Sequence, residues 1–201
     1  MKAIRIAAWI SVAVFIVAAG AAYLLRPNLG AVSGRLPLAA GIGGPFELTT
    51  HEGKRLSSAD LKGAPFALFF GFTHCPDVCP TTMLELSNVI KALGPDADRM
   101  RYLFVSVDPE RDTPELLKLY LSNFDHRIVG LVGTPAEIAA AAKAYRAIYE
   151  KVPGKDGSSY TYNHTAFVYL MDGEGRFAGT LNYQEPEDVQ LKKLRRLLGL
   201  S

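Results

Sequence analysis

Two cysteines four positions apart are the residues of this chain with the most evident chemistry. Cys75 and Cys79 are the only cysteines among the 201 residues, and each precedes a proline. They follow closely on an apolar run over residues 66–72. A thiol delivered by a strand to the start of a helix is favoured as its thiolate, because the helix dipole stabilises negative charge there. The pair therefore predicts disulfide exchange, binding of a soft metal ion, or both.

The spacing of the two cysteines bears on these alternatives. A fixed disulfide would close a loop of only five residues, which would constrain the unfolded chain little. Thioredoxin-type oxidoreductases use Cys-x-x-Cys, and this chain has one residue more. Because a residue before proline avoids the helical conformation, we expect Cys75 in a loop and Cys79 capping a helix that begins at Pro80. Structural zinc requires four ligands, whereas two thiolates suit a soft ion of low coordination number such as copper(I).

Histidine is the expected source of a third ligand. The chain contains four histidines, His51, His74, His126 and His164. His164 follows a polar loop over residues 152–162 and precedes an apolar strand pattern, so it can reach the same sheet edge as Cys75. The first and third histidines fall in predicted surface turns, and His74 adjoins Cys75, where neighbouring side chains point apart. The residues alone leave open whether His164 is a ligand.

The elements that must position these residues alternate along the chain. Strands are predicted over residues 46–50, 65–72, 101–107, 127–132, 165–171 and 176–181. Helices are predicted over residues 80–93, 112–124, 134–149 and 185–198, the second with Asp112 as its cap. This order resembles a thioredoxin-like α/β fold, a central mixed sheet with flanking helices. Asp108 ends a predicted strand at the edge that carries Cys75, where it is either a turn residue or a group that orients a ligand or docks a partner.

The first 26 residues predict an N-terminal transmembrane helix. Residues 6–25 are 20 uncharged residues, enough to cross a hydrocarbon core of about 30 Å as a helix. Lys2 and Arg5 precede them, so the positive-inside bias places the following chain on the outer side of the membrane. A cleaved signal peptide is the alternative, because residues 19–21 are small, but its apolar region would be long for such a peptide.

The remaining chain divides into a linker and one domain. Residues 27–45 are rich in glycine and proline and nearly uncharged, which predicts a linker. Residues 46–201 have the length of a single domain. Residues 1–26 hold three of the 22 basic residues and none of the 20 acidic ones, so the remainder carries 19 basic and 20 acidic residues, a formal charge of −1. This balance predicts no nucleic-acid partner.

Three motifs together resemble the Sco/SenC family of copper chaperones. They are Phe-Thr-His-Cys-Pro-Asp-Val-Cys-Pro at residues 72–80, Val-Asp-Pro-Glu-Arg-Asp-Thr at residues 107–113, and Asn-His at residues 163–164. The resemblance covers the domain from about residue 46. It implies that Cys75, Cys79 and His164 bind one copper ion, as copper(I) or copper(II), and that Asp108 takes part in metal loading and partner interaction.

The resemblance also implies a function, that of a metallochaperone rather than an enzyme. Such a protein assists assembly of the binuclear copper centre of cytochrome c oxidase subunit II, on the periplasmic face of a bacterial inner membrane or its mitochondrial equivalent. It would pass copper to that subunit, reduce the subunit's cysteines, or do both, with a copper donor and a thiol reductant as further partners. The alternatives are a general thiol–disulfide oxidoreductase and a copper or redox sensor. A peroxidase is disfavoured, because Phe72 stands where such sites place a threonine.

Overall fold

A computed structural model describes residues 41–154 and 159–200. The predicted anchor over residues 6–25 and most of the predicted linker lie outside these residues. None of the helices in the described ranges is long and apolar enough to span a membrane. At the end of the predicted linker, the backbone N–H of Gly43 donates to the carbonyl of Ala144 at 2.9 Å, so this end of the linker contacts the domain.

A mixed sheet of seven strands forms the centre of the described domain. Its strands are β1 (Glu47–Thr50), β2 (Arg55–Ser57), β3 (Phe66–Gly71), β4 (Arg101–Ser106), β5 (Ile128–Val132), β8 (Val168–Met171) and β9 (Phe177–Leu181). Their order across the sheet is β2-β1-β5-β4-β3-β8-β9. The three central strands β5, β4 and β3 are parallel, and the outer strands pair antiparallel.

Helices cover both faces of this sheet. They are α1 (Val78–Leu93), α2 (Pro114–Leu121), α3 (Pro135–Tyr145) and α4 (Glu187–Leu197), with short 3-10 helices at Ser58–Leu61 and Gly94–Arg99. All six residues of β3 are buried, and consecutive side chains of a strand point to opposite faces. Phe70 packs against Tyr145 of α3 with 6.0 Å between ring centroids, whereas Cys79 of α1 lies over the other face, beside Gly71. The predicted thioredoxin-like fold, a central mixed sheet with flanking helices, is confirmed for these residues.

One region differs from the prediction. The alanine-rich helix was expected to reach residue 149, but α3 ends at Tyr145, where Arg146 takes a left-handed conformation with φ of 54°. The chain then forms a hairpin of β6 (Tyr149–Pro153) and β7 (Tyr160–His164), which is a separate two-stranded sheet. The expected polar loop over residues 152–162 is therefore largely this hairpin. His164 is the last residue of β7 and does not lie on an irregular loop.

The start of α1 also differs from the prediction. The helix begins at Val78 with Asp77 as its N-cap residue, so Cys79 lies within the first turn and does not cap the helix. Pro80 is accommodated there because backbone N–H groups in the first turn of a helix have no intrahelical acceptor to lose. Cys75 lies in the preceding turn, as expected, and its N–H donates to the carbonyl of Phe72 at 3.3 Å.

Candidate metal centre

The first half of the site is the pair of thiols at the end of β3. Cys75 and Cys79 are both free, with Cys75 half-buried and Cys79 buried. The backbone N–H of Cys79 donates to the Cys75 sulfur at 3.4 Å. The turn over residues 72–77 and the first turn of α1 therefore bring the half-buried sulfur of Cys75 close to the buried residue Cys79.

His164 supplies the second half of the site. Its Nε2 lies 3.3 Å from the sulfur of Cys79, and its Nδ1 lies 3.0 Å from the carbonyl oxygen of Thr165. A carbonyl only accepts, so Nδ1 carries the proton and Nε2 presents its lone pair to the sulfurs. The rings of Phe69 and Phe72 each pack edge-on against the imidazole, with centroids 5.7 Å away. The ring is thus held in both tautomer and orientation.

These three donor atoms converge. The two sulfurs and one ring nitrogen all lie within 4.8 Å of one another. Cys75 and His164 line a cavity of about 300 Å³ between residues 75–78 and 161–164. Two thiolates and an imidazole, without a carboxylate, form a soft and low-coordinate donor set, which fits copper(I) better than a four-ligand zinc site or an oxygen-seeking ion. The structure thus brings together the three residues that sequence and resemblance singled out.

The two thiols have very different proton affinities in the metal-free protein. The pKa of Cys75 falls to about 4, chiefly because the Cys79 side chain donates a hydrogen bond to its sulfur, with help from the backbone N–H groups of Asp77 and Cys79. Burial, together with the neighbouring Cys75 thiolate, raises the pKa of Cys79 well above its usual range. The pair is therefore one thiolate at the rim and one thiol beneath it.

This difference predicts how alkylation of the metal-free, reduced protein depends on pH. Above its pKa Cys75 is fully ionised, so its reaction with iodoacetamide is expected to be nearly constant between about pH 6 and 8 and to fall only as the pH approaches about 4. Cys79, buried and protonated, is expected to react far more slowly. Mass spectrometry of the labelled peptides measures both rates, with glutathione in the same tube as control. A rate at Cys75 that rises about tenfold per pH unit, as for an ordinary thiol of pKa about 8.5, would contradict the assignment.

Asp108 lies near the site but not among its donor atoms. Its carboxylate is fully buried, accepts from the hydroxyl of Tyr160 at 2.9 Å and pairs with the guanidinium of Arg111. It forms a second cluster with His74 and Asp112, whose ligand-type atoms also lie within 4.8 Å of one another. Both carboxylates of this cluster already accept hydrogen bonds from protein groups, so they hold the protein together at this edge.

Asp112 does not cap α2, contrary to the prediction. Thr113 is the N-cap residue, and its hydroxyl accepts from the N–H of Leu116 at 3.2 Å. The carboxylate of Asp112 instead accepts from both the N–H and the hydroxyl of Thr73 and from the hydroxyl of Ser106. Apart from the presence of Asp112 in the motif at residues 107–113, no sequence pattern predicted this role, because Thr73 is 39 positions away.

The other histidines have different surroundings. His51 and His126 line a separate cavity of about 540 Å³, and the Nδ1 of His51 accepts from the N–H of Gly130 at 2.8 Å. His74 is exposed, and its Nδ1 lies 3.0 Å from the hydroxyl of Thr73. Of the four, His164 is the one whose ring nitrogen joins the two sulfurs.

Comparison with known proteins identifies a family model and several similar proteins. A family model described as SCO1/SenC matches residues 35–199. The chain is 39% identical over 176 residues to Protein SCO2, mitochondrial, of Saccharomyces cerevisiae, covering 86% of this chain and 58% of that protein. It is 40% identical over 141 residues to the human Protein SCO1 homolog, mitochondrial, and the match covers 68% of this chain and 46% of the human protein. The chain thus spans about half the length of these curated relatives.

Solved structures show the same fold. ScoI of Bradyrhizobium japonicum with copper bound is 51% identical and superposes with a TM-score of 0.73, covering 78% of this chain and 99% of that one. BsSco, described as a member of the Sco family of cytochrome c oxidase assembly proteins and as carrying a disulfide switch, is 27% identical with a TM-score of 0.63, covering 80% and 95%.

Proposed function

The chain belongs to the SCO1/SenC family, and from that premise we propose that it is a copper metallochaperone. It binds one copper ion through Cys75, Cys79 and His164 and assists assembly of the binuclear copper centre of cytochrome c oxidase subunit II. The observation that carries the proposal is the convergence of two sulfurs and one imidazole nitrogen within 4.8 Å. A copper-bound relative at 51% identity supports copper as the ion.

Copper is the cargo of this site, and the burial of the donors suggests how it is released. Cys75 and His164 are half-buried at the rim, whereas Cys79 is buried beneath them. An incoming thiolate or imidazole of the receiving protein can therefore replace the rim donors first, and Cys79 last. Ligand exchange of this kind keeps the ion coordinated throughout, and Cys79 regains its proton when the ion leaves. Asp108 would act indirectly, by holding the strand that carries His164.

A second candidate function, thiol reduction of the target, is favoured by the contrast between the two cysteines. The Cys75 thiolate would attack one sulfur of a disulfide in the target and form a mixed disulfide, while the first target thiolate leaves. Cys79, after giving up its proton, would attack the Cys75 sulfur and release the second target thiolate, leaving a Cys75–Cys79 disulfide. Two electrons thus pass to the target, and a dithiol protein must restore the pair.

We place the protein at a membrane. Residues 6–25 would anchor it by a single helix, residues 27–45 would link the anchor to the domain, and the domain from residue 46 would face the periplasm or the equivalent mitochondrial space. The formal charge of residues 27–201, −1, agrees with a protein partner more than with nucleic acid.

Copper binding and handover by the purified protein test this proposal. The reduced protein is expected to bind one equivalent of copper(I) in competition with a chromophoric chelator, and its disulfide form to bind none, because a disulfide is a poor ligand. The loaded protein should then pass copper to the copper-free soluble domain of cytochrome c oxidase subunit II. Tight binding without transfer would favour a sensor. Reduction of the subunit's disulfide without copper binding would favour the thiol reductase.

A further inference from the structure

Asp112 is a buried carboxylate next to the thiol turn, which is the turn over residues 72–77 that carries Cys75. Its side chain has no exposed surface. One carboxylate oxygen accepts from the N–H of Thr73 at 3.0 Å and from the hydroxyl of Ser106 at 2.6 Å, and the other accepts from the hydroxyl of Thr73 at 2.6 Å. Burying a carboxylate is costly unless such donors surround it, so this arrangement fixes Thr73 strongly.

The groups that Asp112 joins are those that set the position of the thiols. Thr73 lies in the thiol turn, two residues before Cys75. Ser106 is the last residue of β4 and pairs with Gly71, the last residue of β3. The carboxylate thus ties Thr73 of the thiol turn to the ends of two central strands, β3 and β4, whose residues are buried except for Arg101.

The same loop holds the histidine half of the site through different side chains. Arg111 donates to the carbonyl of Tyr160 at 3.0 Å, and its guanidinium lies 3.7 Å from the centroid of the Tyr160 ring. The Tyr160 hydroxyl in turn donates to Asp108. Tyr160 begins β7, the strand that ends at His164. One loop, residues 107–113, therefore contacts both halves of the site by separate sets of contacts.

We infer that Asp112 is a positioning residue that holds the two thiols in register for binding, while Asp108, Arg111 and Tyr160 hold the histidine strand. The inference rests on the proposed function in taking the thiols as copper ligands. The inference assigns this role to the hydrogen bonds that Asp112 accepts. An asparagine there keeps the contacts, because its oxygen accepts from the Thr73 N–H and Ser106, and its amide donates to the Thr73 hydroxyl, which can also accept.

The test compares Asp112→Ala with Asp112→Asn in the full chain. Two quantities are measured, the copper(I) affinity of the reduced protein and the equilibrium of the metal-free dithiol with glutathione. The alanine variant is expected to lose about 10–100-fold in copper(I) affinity, as for other groups that orient a metal ligand. Its thiols, less well aligned, should favour the dithiol form by about threefold to tenfold, because their effective concentration falls. The asparagine variant should remain within about threefold of the wild type in both quantities, since it keeps the hydrogen bonds.

Two further variants make the test specific. Asp125→Ala removes a carboxylate that accepts from the backbone and guanidinium of Arg127, on the turn after α2, and is expected to lower stability while both site quantities stay at the wild-type value. Tyr160→Leu is expected to weaken copper(I) binding without shifting the glutathione equilibrium, because it loosens only the histidine strand.

Several outcomes would overturn the inference. An asparagine variant as impaired as the alanine variant would show that charge, and not hydrogen bonding, is what matters. An alanine variant equal to the wild type would remove the role altogether. If Asp112→Ala does not fold, Thr73→Val deletes one of the donors alone, and no change in either quantity would likewise refute the inference. A wild-type protein that binds no copper(I) would instead refute the proposed function, and the glutathione equilibrium would still decide the role of Asp112.

Discussion

Replacing His164 with alanine is expected to weaken copper(I) binding by the reduced protein by at least about 100-fold. The loss of a group that merely orients a metal ligand costs about 10–100-fold, and His164 is placed to be a ligand itself, with Nε2 3.3 Å from the Cys79 sulfur. Two thiolates would remain, so binding should weaken and not disappear. Competition with a chromophoric copper(I) chelator measures the change.

A matched control separates this effect from any general cost of losing a histidine. His126 is 85% exposed at its side chain and lines a different cavity, so His126→Ala should bind copper(I) as the wild type does. Unfolding by urea should show both variants folded. Equal affinity of His164→Ala and wild type would remove His164 from the site, and the chain would then be better described as a dithiol reductase.

Replacing Gly71 with alanine is expected to disturb both halves of the site at once. A methyl group at this position would lie 3.0 Å from the Cys79 sulfur, 2.7 Å from Cε1 of Phe69 and 3.0 Å from Cε2 of Phe104. These contacts are too short, so the sulfur and the rings must move. Since Phe69 also packs against His164, the displacement reaches the imidazole as well. We expect a loss of about 1–3 kcal/mol in stability, typical of an overpacked core, and at least about a tenfold loss in copper(I) affinity, the lower end of the cost of disturbing a ligand's support.

Gly130→Ala provides the matched control for overpacking. Its methyl group would lie 2.6 Å and 2.7 Å from two atoms of Leu117 and 2.7 Å from Leu121, both on α2. The cost in stability should be similar, about 1–3 kcal/mol, whereas copper(I) affinity should not change. Urea unfolding and chelator competition on both variants decide the matter. Equal copper(I) affinities would mean that the space beside Gly71 is not needed by the site.

The central strands were predictable because they consist almost entirely of apolar residues, which is typical of strands buried on both faces. Residues 66–71 and 102–106 are apolar or small almost without interruption and become β3 and β4, the buried parallel pair. The turn that carries Cys75 follows from the first of these strands. A strand covered on both faces needs no information from distant residues to be recognised.

The hairpin of β6 and β7 could not be predicted in this way. Its strands are only partly buried, and both are rich in polar residues: β6 has the sequence Tyr-Glu-Lys-Val-Pro, and β7 has the sequence Tyr-Thr-Tyr-Asn-His. Tyr162 is held by Phe72 of the thiol turn, with centroids 5.5 Å apart, and Tyr160 is held by Arg111. These contacts are far apart in sequence, so the pattern resembles that of a polar loop. The end of α3 was missed because Arg146 closes the helix without a glycine or proline signal.

The residue types and their spacing did not establish whether His164 is a ligand, and the family resemblance supplied that expectation. A single histidine before a strand is compatible with many roles, and its placement over the thiols depends on the hairpin. The position of Asp112 illustrates the opposite limit. Its spacing to Glu115 matches a capping pattern. Only the fold reveals that Thr73 and Ser106 donate hydrogen bonds to its carboxylate.

The separateness of the hairpin has a consequence for engineering. β6 and β7 pair with each other and with no strand of the seven-stranded sheet, so every ladder of that sheet is formed without residues 149–164. The hairpin is therefore a separate unit of strand pairing. Another hairpin can replace it without changing the strand pairing of the seven-stranded sheet. The nitrogen donor can thus be redesigned, provided that the new hairpin keeps an aromatic ring against Phe72 of the thiol turn.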